Sequence, residues 1–208
     1  QELLYQWRPF QMIIKFFPVL IGSYINPKHK DIEKSIVEWC FELKELVKSG
    51  GENWLSKSTY NTIGKYDVWA DKEFSDINKF VLESVKNYCK ELLIQEDSFD
   101  ENTNDAWFNI YKKGDYQEYH NHGDSLFSAV YFLKTPENSA KIYFKSPIMD
   151  MIRPNYTEYT IDTYERINFT PQAGMLLIFR SFLEHSVEQQ EDDDARISIA
   201  YNFKKKRK

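Results

Sequence analysis

One change of rhythm constrains this chain most: apolar residues recur at helical spacing up to Asn104 and at strand spacing after it. From Asp31 to Ser49 they fall at Ile32, Ile36, Val37, Cys40, Phe41, Leu43, Leu46 and Val47, in a segment opened by Asp and stopped by Gly50 and Gly51. That spacing predicts an amphipathic helix. A second is predicted from Ser75 to Ile94, with Ile77, Phe80, Val81, Val85, Tyr88, Cys89 and Leu92 on its stripe. Met12–Ile25 reads as a strand ended near Pro27, and Trp54–Trp69 as an aromatic-rich, irregular connection. Past Asn104 the runs Trp107–Tyr111, Leu126–Leu133, Lys141–Phe144, Arg166–Phe169, Met175–Phe179, His185–Glu188 and Arg196–Phe203 are separated by Gly, Pro, Asn and Asp turns. Short strands at such spacing specify a sandwich or jelly-roll barrel. Helices ahead of them give an α+β class, the helices buttressing one face of the sheet.

No linker separates the halves. The expectation is therefore one domain over 1–208: strand and supporting helices to 104, a jelly-roll core over 105–203 and a basic tail over 204–208. The acidic stretch Glu191–Asp194 reads as a hairpin turn. Pro147–Tyr164, with Arg153 and several Tyr, has no assigned element and is where a lid is expected. At 208 residues and 42% hydrophobic the chain can bury a sizeable core, yet no apolar run approaches the ~18 residues of a membrane span. Its seven glycines never assemble into GxGxxG or GxxxxGK[ST], which excludes those two nucleotide loops. Five of the 27 Lys and Arg occupy the last five positions, so the remaining 22 face 32 acidic residues. An acidic body argues against a nucleic-acid groove, and the basic tail reads as solvated. Cys40 and Cys89, both on helical patterns, are expected to be buried free thiols in a reducing cytosol. No charged-then-apolar leader opens the sequence, which begins at Gln1; the expected location is cytoplasmic.

Of four histidines, His29 sits in the polar lead-in to the first helix and reads as solvated, while His120, His122 and His185 lie in the β half. Residues i and i+2 of a strand share a face, so a strand through His120, His122 and Asp124 would align two imidazoles and a carboxylate. A jelly roll would let His185 close the site from across the barrel. Two His and one carboxylate with open positions is the facial arrangement of non-haem Fe(II) oxygenases. Such chemistry also needs a cation for the far carboxylate of 2-oxoglutarate. Arg196 and Ser198 share a strand face 11 and 13 residues past His185, on a strand expected to lie beside that of His185; a guanidinium fork matches a carboxylate bidentately and the hydroxyl adds a further partner. Four His and fourteen Asp in 208 residues give some His-x-Asp by chance about one time in four, so the joint pattern carries the reading.

These residues resemble a known family. The segments Trp107–Asp115, His120–His122, Ser128–Leu133, Gly174–Val187 and Arg196–Phe203 are similar to the 2-oxoglutarate- and Fe(II)-dependent oxygenases, in particular a group common in bacteria and their phages, and more distantly to prolyl 4-hydroxylases. Trp54–Lys57 extends the likeness loosely into the helical half. The resemblance implies a double-stranded β-helix, Fe(II) and 2-oxoglutarate. It leaves two ligand sets open: His122, Asp124 and His185, or His120, His122 and His185. Overlaid on prolyl 4-hydroxylases, Tyr111 and Gly114 keep their spacing to the first metal histidine when that residue is His120. Tyr111 then takes the place of a tyrosine that donates its hydroxyl to 2-oxoglutarate; otherwise it is core. Ala129 and Arg180 depart from frequent Gly and Pro without touching a proposed ligand.

The expected activity is a dioxygenase that hydroxylates a C–H bond with release of succinate and CO2, on a peptide side chain, an amino acid or a small metabolite. Two rivals stand beside it. A cupin-like metalloenzyme would use the same histidines without 2-oxoglutarate and leave Arg196 as a structural ion-pairing residue. A jelly-roll binding module would use the many Tyr and Trp as stacking platforms.

Overall fold

The structure, a computed structural model, describes residues 18–103, 105–148, 154–160 and 162–206. Strand β1 (Ile21–Ile25) leads into helix α1 (His29–Leu46), the two-residue strand β2 (Tyr60–Asn61) and helix α2 (Ser75–Glu91). Eight strands follow: β3 (Ala106–Tyr111), β4 (Gln117–His120), β5 (Phe127–Lys134), β6 (Ile142–Lys145), β7 (Arg166–Phe169), β8 (Met175–Arg180), β9 (His185–Val187) and β10 (Arg196–Phe203). They pair antiparallel in two sheets, one ordered β1-β8-β5-β10-β3-β2 and the other β4-β9-β6-β7. The residues 12–17 of the strand expected over Met12–Ile25 lie outside the described residues.

The large sheet is buried on both faces. On one, Phe108, Ile110, Tyr131, Ile178, Ile199 and Tyr201 pack against Ile36, Cys40 and Leu43 of α1 and Ile77, Val81 and Val85 of α2. On the other, Phe132, Leu177 and Phe179 meet Ile142 and Phe144 of the small sheet. The period-2 rule therefore divides β3 and β10 cleanly: Phe108, Ile110, Ile197 and Ile199 go to the helices, while Trp107, Asn109, Tyr111, Arg196 and Ser198 line the space between the sheets. Cys40 and Cys89 are buried free thiols, as expected.

Several expectations need correction. The first helix starts at His29, two residues before Asp31, without a side-chain cap, because Asn26 Oδ1 accepts from Lys28 N–H at 3.0 Å and turns the chain earlier. It ends at Leu46, and Gly50 instead pairs its N–H with Asn61 O at 2.8 Å, where a Cβ would lie 2.3 Å from Ile63 O. The second stops at Glu91 rather than Ile94. His29 is not solvated: it is 5% exposed, its Nδ1 is 2.8 Å from Tyr131 Oη, and Gly174 (φ +83°) lets the backbone come flush against it. Glu191–Asp194 is no hairpin turn, since β9 and β10 belong to different sheets. Arg196 consequently does not lie on a strand beside that of His185. Lys205 bridges Phe99 and Lys206 N–H donates to Ser98 O at 3.1 Å, so the basic run keeps a regular register through Lys206; Arg207 and Lys208 lie outside the described residues. No helix among the described residues is long and apolar enough to cross a membrane.

Candidate metal centre

Strand β4 ends at His120, so the strand expected to run through Asp124 does not exist. The chain turns there because His122 N–H donates to Ser181 O at 2.9 Å and Ser125 N–H returns to His122 O at 2.9 Å. His120 and His185 are direct cross-strand partners on β4 and β9, adjacent in one sheet rather than opposed across the barrel. The turn then folds His122 back onto the pair. Ring centroids are 4.2 Å apart for His120 and His185, 5.1 Å for His120 and His122, and 5.2 Å for His122 and His185. One ring nitrogen from each lies within 4.8 Å of the others.

The rings are held as ligands need to be held. His120 Nδ1 is 2.8 Å from Glu118 O and His185 Nδ1 is 3.0 Å from Leu183 O. A carbonyl only accepts, so each Nδ1 carries the proton and each Nε2 keeps its lone pair for the interior. Phe144 and Phe179 pack against the His185 ring, and Trp107 against His122. Asn202 Nδ2 lies 3.2 Å from both His122 Nδ1 and Asp105 Oδ2, while its Oδ1 accepts from Ser128 Oγ at 2.7 Å. Removing this support, Asn202→Ala, is expected to weaken metal binding by roughly 10- to 100-fold, read by competition titration against a chelator. Unchanged affinity would show that Asn202 does not orient the ring.

Burial pushes the His185 imidazole well below its ordinary range, takes His122 down to about 4 with help from His120, and lowers His120 as well. All three are neutral at pH 7, the form that binds metals. In the unfolded chain they titrate near 6.5, so as the pH falls below that value the unfolded state takes up protons first. Stability is complete above pH 6.5 and drains away toward pH 4, by about 3 kcal/mol from His122 alone. Urea midpoints of the metal-free protein should therefore drop between pH 7 and pH 5, and a flat profile would contradict neutral buried rings.

Asp124 is not brought to the histidines. Its side chain is 72% exposed, its Oδ2 lies 3.5 Å from Lys204 Nζ, and it lines an outer groove with Arg180 and Lys204–Lys206. Arg196, Ser198 and Tyr111 do line the cavity that holds the three histidines. Arg196 is wholly buried, its guanidinium 4.8 Å from the Tyr111 ring centroid and 5.2 Å from that of Phe132. Nη1 donates to Ser198 Oγ at 3.3 Å, and Nε and Nη2 have no hydrogen-bond partner. Burial raises the Tyr111 hydroxyl to about 12, so it stays a neutral donor. Sequence reasoning gave no role to Gln117, Ser128 and Asn202, which also line this cavity. The signal was present for the last two, since Asn202 and Ser128 occupy inward alternate positions of strands that were expected. Gln117 opens β4, ahead of the stretch expected as a strand.

Residues 105–202 match the family model described as "Putative 2OG-Fe(II) oxygenase". Over that stretch the chain is similar to the 2OG-Fe(II) oxygenases. Enzymes of this family use Fe(II), 2-oxoglutarate and O2. A search of curated proteins finds no match for this chain. Among solved structures it is similar to a Pseudomonas putida prolyl-4-hydroxylase, at 13% identity and TM-score 0.61 over 89% of this chain and 92% of that one. It is also similar to a viral collagen prolyl hydroxylase from Paramecium bursaria Chlorella virus-1, at 14% identity and TM-score 0.55 over 88% and 94%. HygX from Streptomyces hygroscopicus, solved with nickel, 2-oxoglutarate and hygromycin B, matches at 10% identity and TM-score 0.61 over 89% and 83%. At these identities the likeness is one of fold, mixed helix and antiparallel sheet; such neighbours have a double-stranded β-helix core.

Proposed function

We propose that this chain is a 2OG-Fe(II) oxygenase that hydroxylates a C–H bond, with Fe(II) held by His120, His122 and His185 in a jelly-roll core that α1 and α2 buttress. In this assignment His120 is the third ligand and Asp124 is not one. The observation that carries the cosubstrate part is Arg196. A buried guanidinium without a carboxylate partner costs several kcal/mol, and a protein keeps one where an anionic ligand repays the cost. The same observation counts against the cupin-like reading, which needs Arg196 in a structural ion pair.

Fe(II) bound there would supply the oxidising chemistry by which 2-oxoglutarate and O2 give succinate and CO2 as C–H becomes C–OH. The chain's own residues do the rest. Arg196, with Ser198 Oγ and the Tyr111 hydroxyl, holds the far carboxylate and so fixes the direction in which the 2-oxo acid end points toward the histidines. His120 and His185 present Nε2 without any proton movement. His122, whose Nδ1 faces Asn202 Nδ2 at 3.2 Å, would hold the ion as a neutral imidazole. The hydrophobic walls, Phe179, Ile142 and Val130, keep water from the reacting centre.

The primary substrate is a peptide or a small molecule: a similar prolyl hydroxylase from Trichoplax adhaerens was solved with a peptide fragment and HygX with hygromycin B. Trp54, which lines the cavity beside the histidines, is the residue it would meet. Of the expected lid, Met149–Arg153 and Ile161 lie outside the described residues; Tyr156, Tyr159 and Tyr164 form a chain of ring contacts at 5.6 and 6.3 Å. The ligand set is tested by two variants. His120→Ala should lose stoichiometric Fe(II) while Asp124→Ala keeps it. The reverse result would restore the two-His-one-carboxylate assignment.

A further inference from the structure

The cavity between the sheets is layered. In one layer His120, His185 and Phe144 are register partners across β4, β9 and β6; one step along, the partners are Gln117, Val187 and Ile142. Val187 shares a small buried cluster with Ala140 and Tyr111, and Tyr111 is the register partner of Arg196 on β10 and lies under its guanidinium. Gln117 therefore belongs to the layer of Arg196, on the facing sheet, and not to the metal layer.

Gln117 is 4% exposed, lines the cavity, and its Oε1 is buried with no hydrogen-bond partner. Arg196 has two unpartnered nitrogens in the same layer. Orphaned polar atoms on both walls cost free energy unless a ligand satisfies them. An amide exchanges its oxygen and nitrogen by a half-turn about χ3 with almost no change of shape, so Gln117 can present Nε2–H where Oε1 now stands.

We propose that Gln117 is a further binding residue for the far carboxylate of the 2-oxo acid, donating Nε2–H from the small sheet opposite Arg196. It thereby makes the site select a dicarboxylate over a chain of equal length that ends in methyl. The inference rests on the cosubstrate reading above. Gln117 also adjoins an irregularity in the pairing of β4 with β9, so a purely structural role is the alternative to be separated.

The separation uses two probes, 2-oxoglutarate and 2-oxopentanoate, which has the same chain with methyl in place of the far carboxylate. Each is titrated anaerobically into the Fe(II) protein and followed by the visible band of the chelated 2-oxo acid. Gln117→Leu should weaken 2-oxoglutarate about tenfold or more, the loss of a hydrogen bond to a charged group, and leave 2-oxopentanoate unchanged. Gln117→Glu, of the same shape but without a donor, should weaken 2-oxoglutarate more than Gln117→Leu, with 2-oxopentanoate again unchanged; it serves where the leucine variant does not fold. Equal losses for both probes, or no loss for 2-oxoglutarate, would overturn the role of Gln117 while the cosubstrate reading stands. A wild-type protein that binds neither probe would overturn both.

Discussion

Arg196→Met is expected to do two opposite things: abolish useful affinity for 2-oxoglutarate and raise the stability of the ligand-free protein. Both follow from a guanidinium that is wholly buried, stacked between the Tyr111 and Phe132 rings, and short of an anion. Breaking a buried charge pair costs about 3–5 kcal/mol, because the surviving charge is stranded. That corresponds to a loss of roughly two to four orders of magnitude in 2-oxoglutarate affinity. Without the ligand, Arg196 is itself the stranded charge, and an apolar side chain of similar volume relieves it. Replacement of buried ions by well-packed apolar groups has been worth about 1–4 kcal/mol in stability. Anaerobic titration of the Fe(II) protein reads the first effect and thermal melting of the metal-free protein the second. A variant that binds 2-oxoglutarate like wild type removes Arg196 from the site. One that is much less stable than wild type shows instead that the guanidinium has a structural partner.

His185→Ala should eliminate stoichiometric Fe(II) binding and leave a folded protein. The three rings approach one another so closely that each would be at once a ligand and a wall for the others. Loss of His185 leaves two imidazoles, His120 from the same sheet and His122 from the turn, too few to hold the ion on one face. The cavity left between Phe144 and Phe179 costs stability, in the range of about 2–5 kcal/mol for a large-to-small change. It also removes a buried polar ring, which offsets part of that cost. Iron content after anaerobic reconstitution, compared with a melting curve, separates loss of ligand from loss of fold. His122→Ala should give the same iron result. Wild-type iron stoichiometry in either variant would mean that the metal sits elsewhere.

The sequence carried the β core well because an amphiphilic sheet announces itself at period 2. Arg166–Phe169 and Arg196–Phe203 have the observed bounds, and the strands at Trp107, Leu126, Lys141, Met175 and His185 were each found within a residue or so. Alternation also put Arg196 and Ser198 on one face of their strand, and with Tyr111, His122 and His185 they line the cavity between the sheets. What alternation cannot report is where a strand stops. The i, i+2 rule placed Asp124 beside His122 only while the strand was assumed to continue. A single backbone bond from His122 to Ser181, 59 positions away, ends that assumption.

Which sheet a strand joins is decided the same way. Nothing local in Glu191–Asp194 distinguishes a hairpin from a crossing between sheets, since both need a polar turn. The choice lies in pairing partners distant in sequence: β10 finds β3 and β5, and β9 finds β4 and β6. Gln117 went unnoticed for a related reason, because β4 is short, irregularly paired and poor in apolar residues, so no pattern marked which of its side chains face inward. Residue types and their local spacing determined that this chain could hold iron and a dicarboxylate. Only the tertiary structure decided that three histidines meet while Asp124 turns to Lys204, since that outcome rests on long-range hydrogen bonds and burial, energies no local window contains.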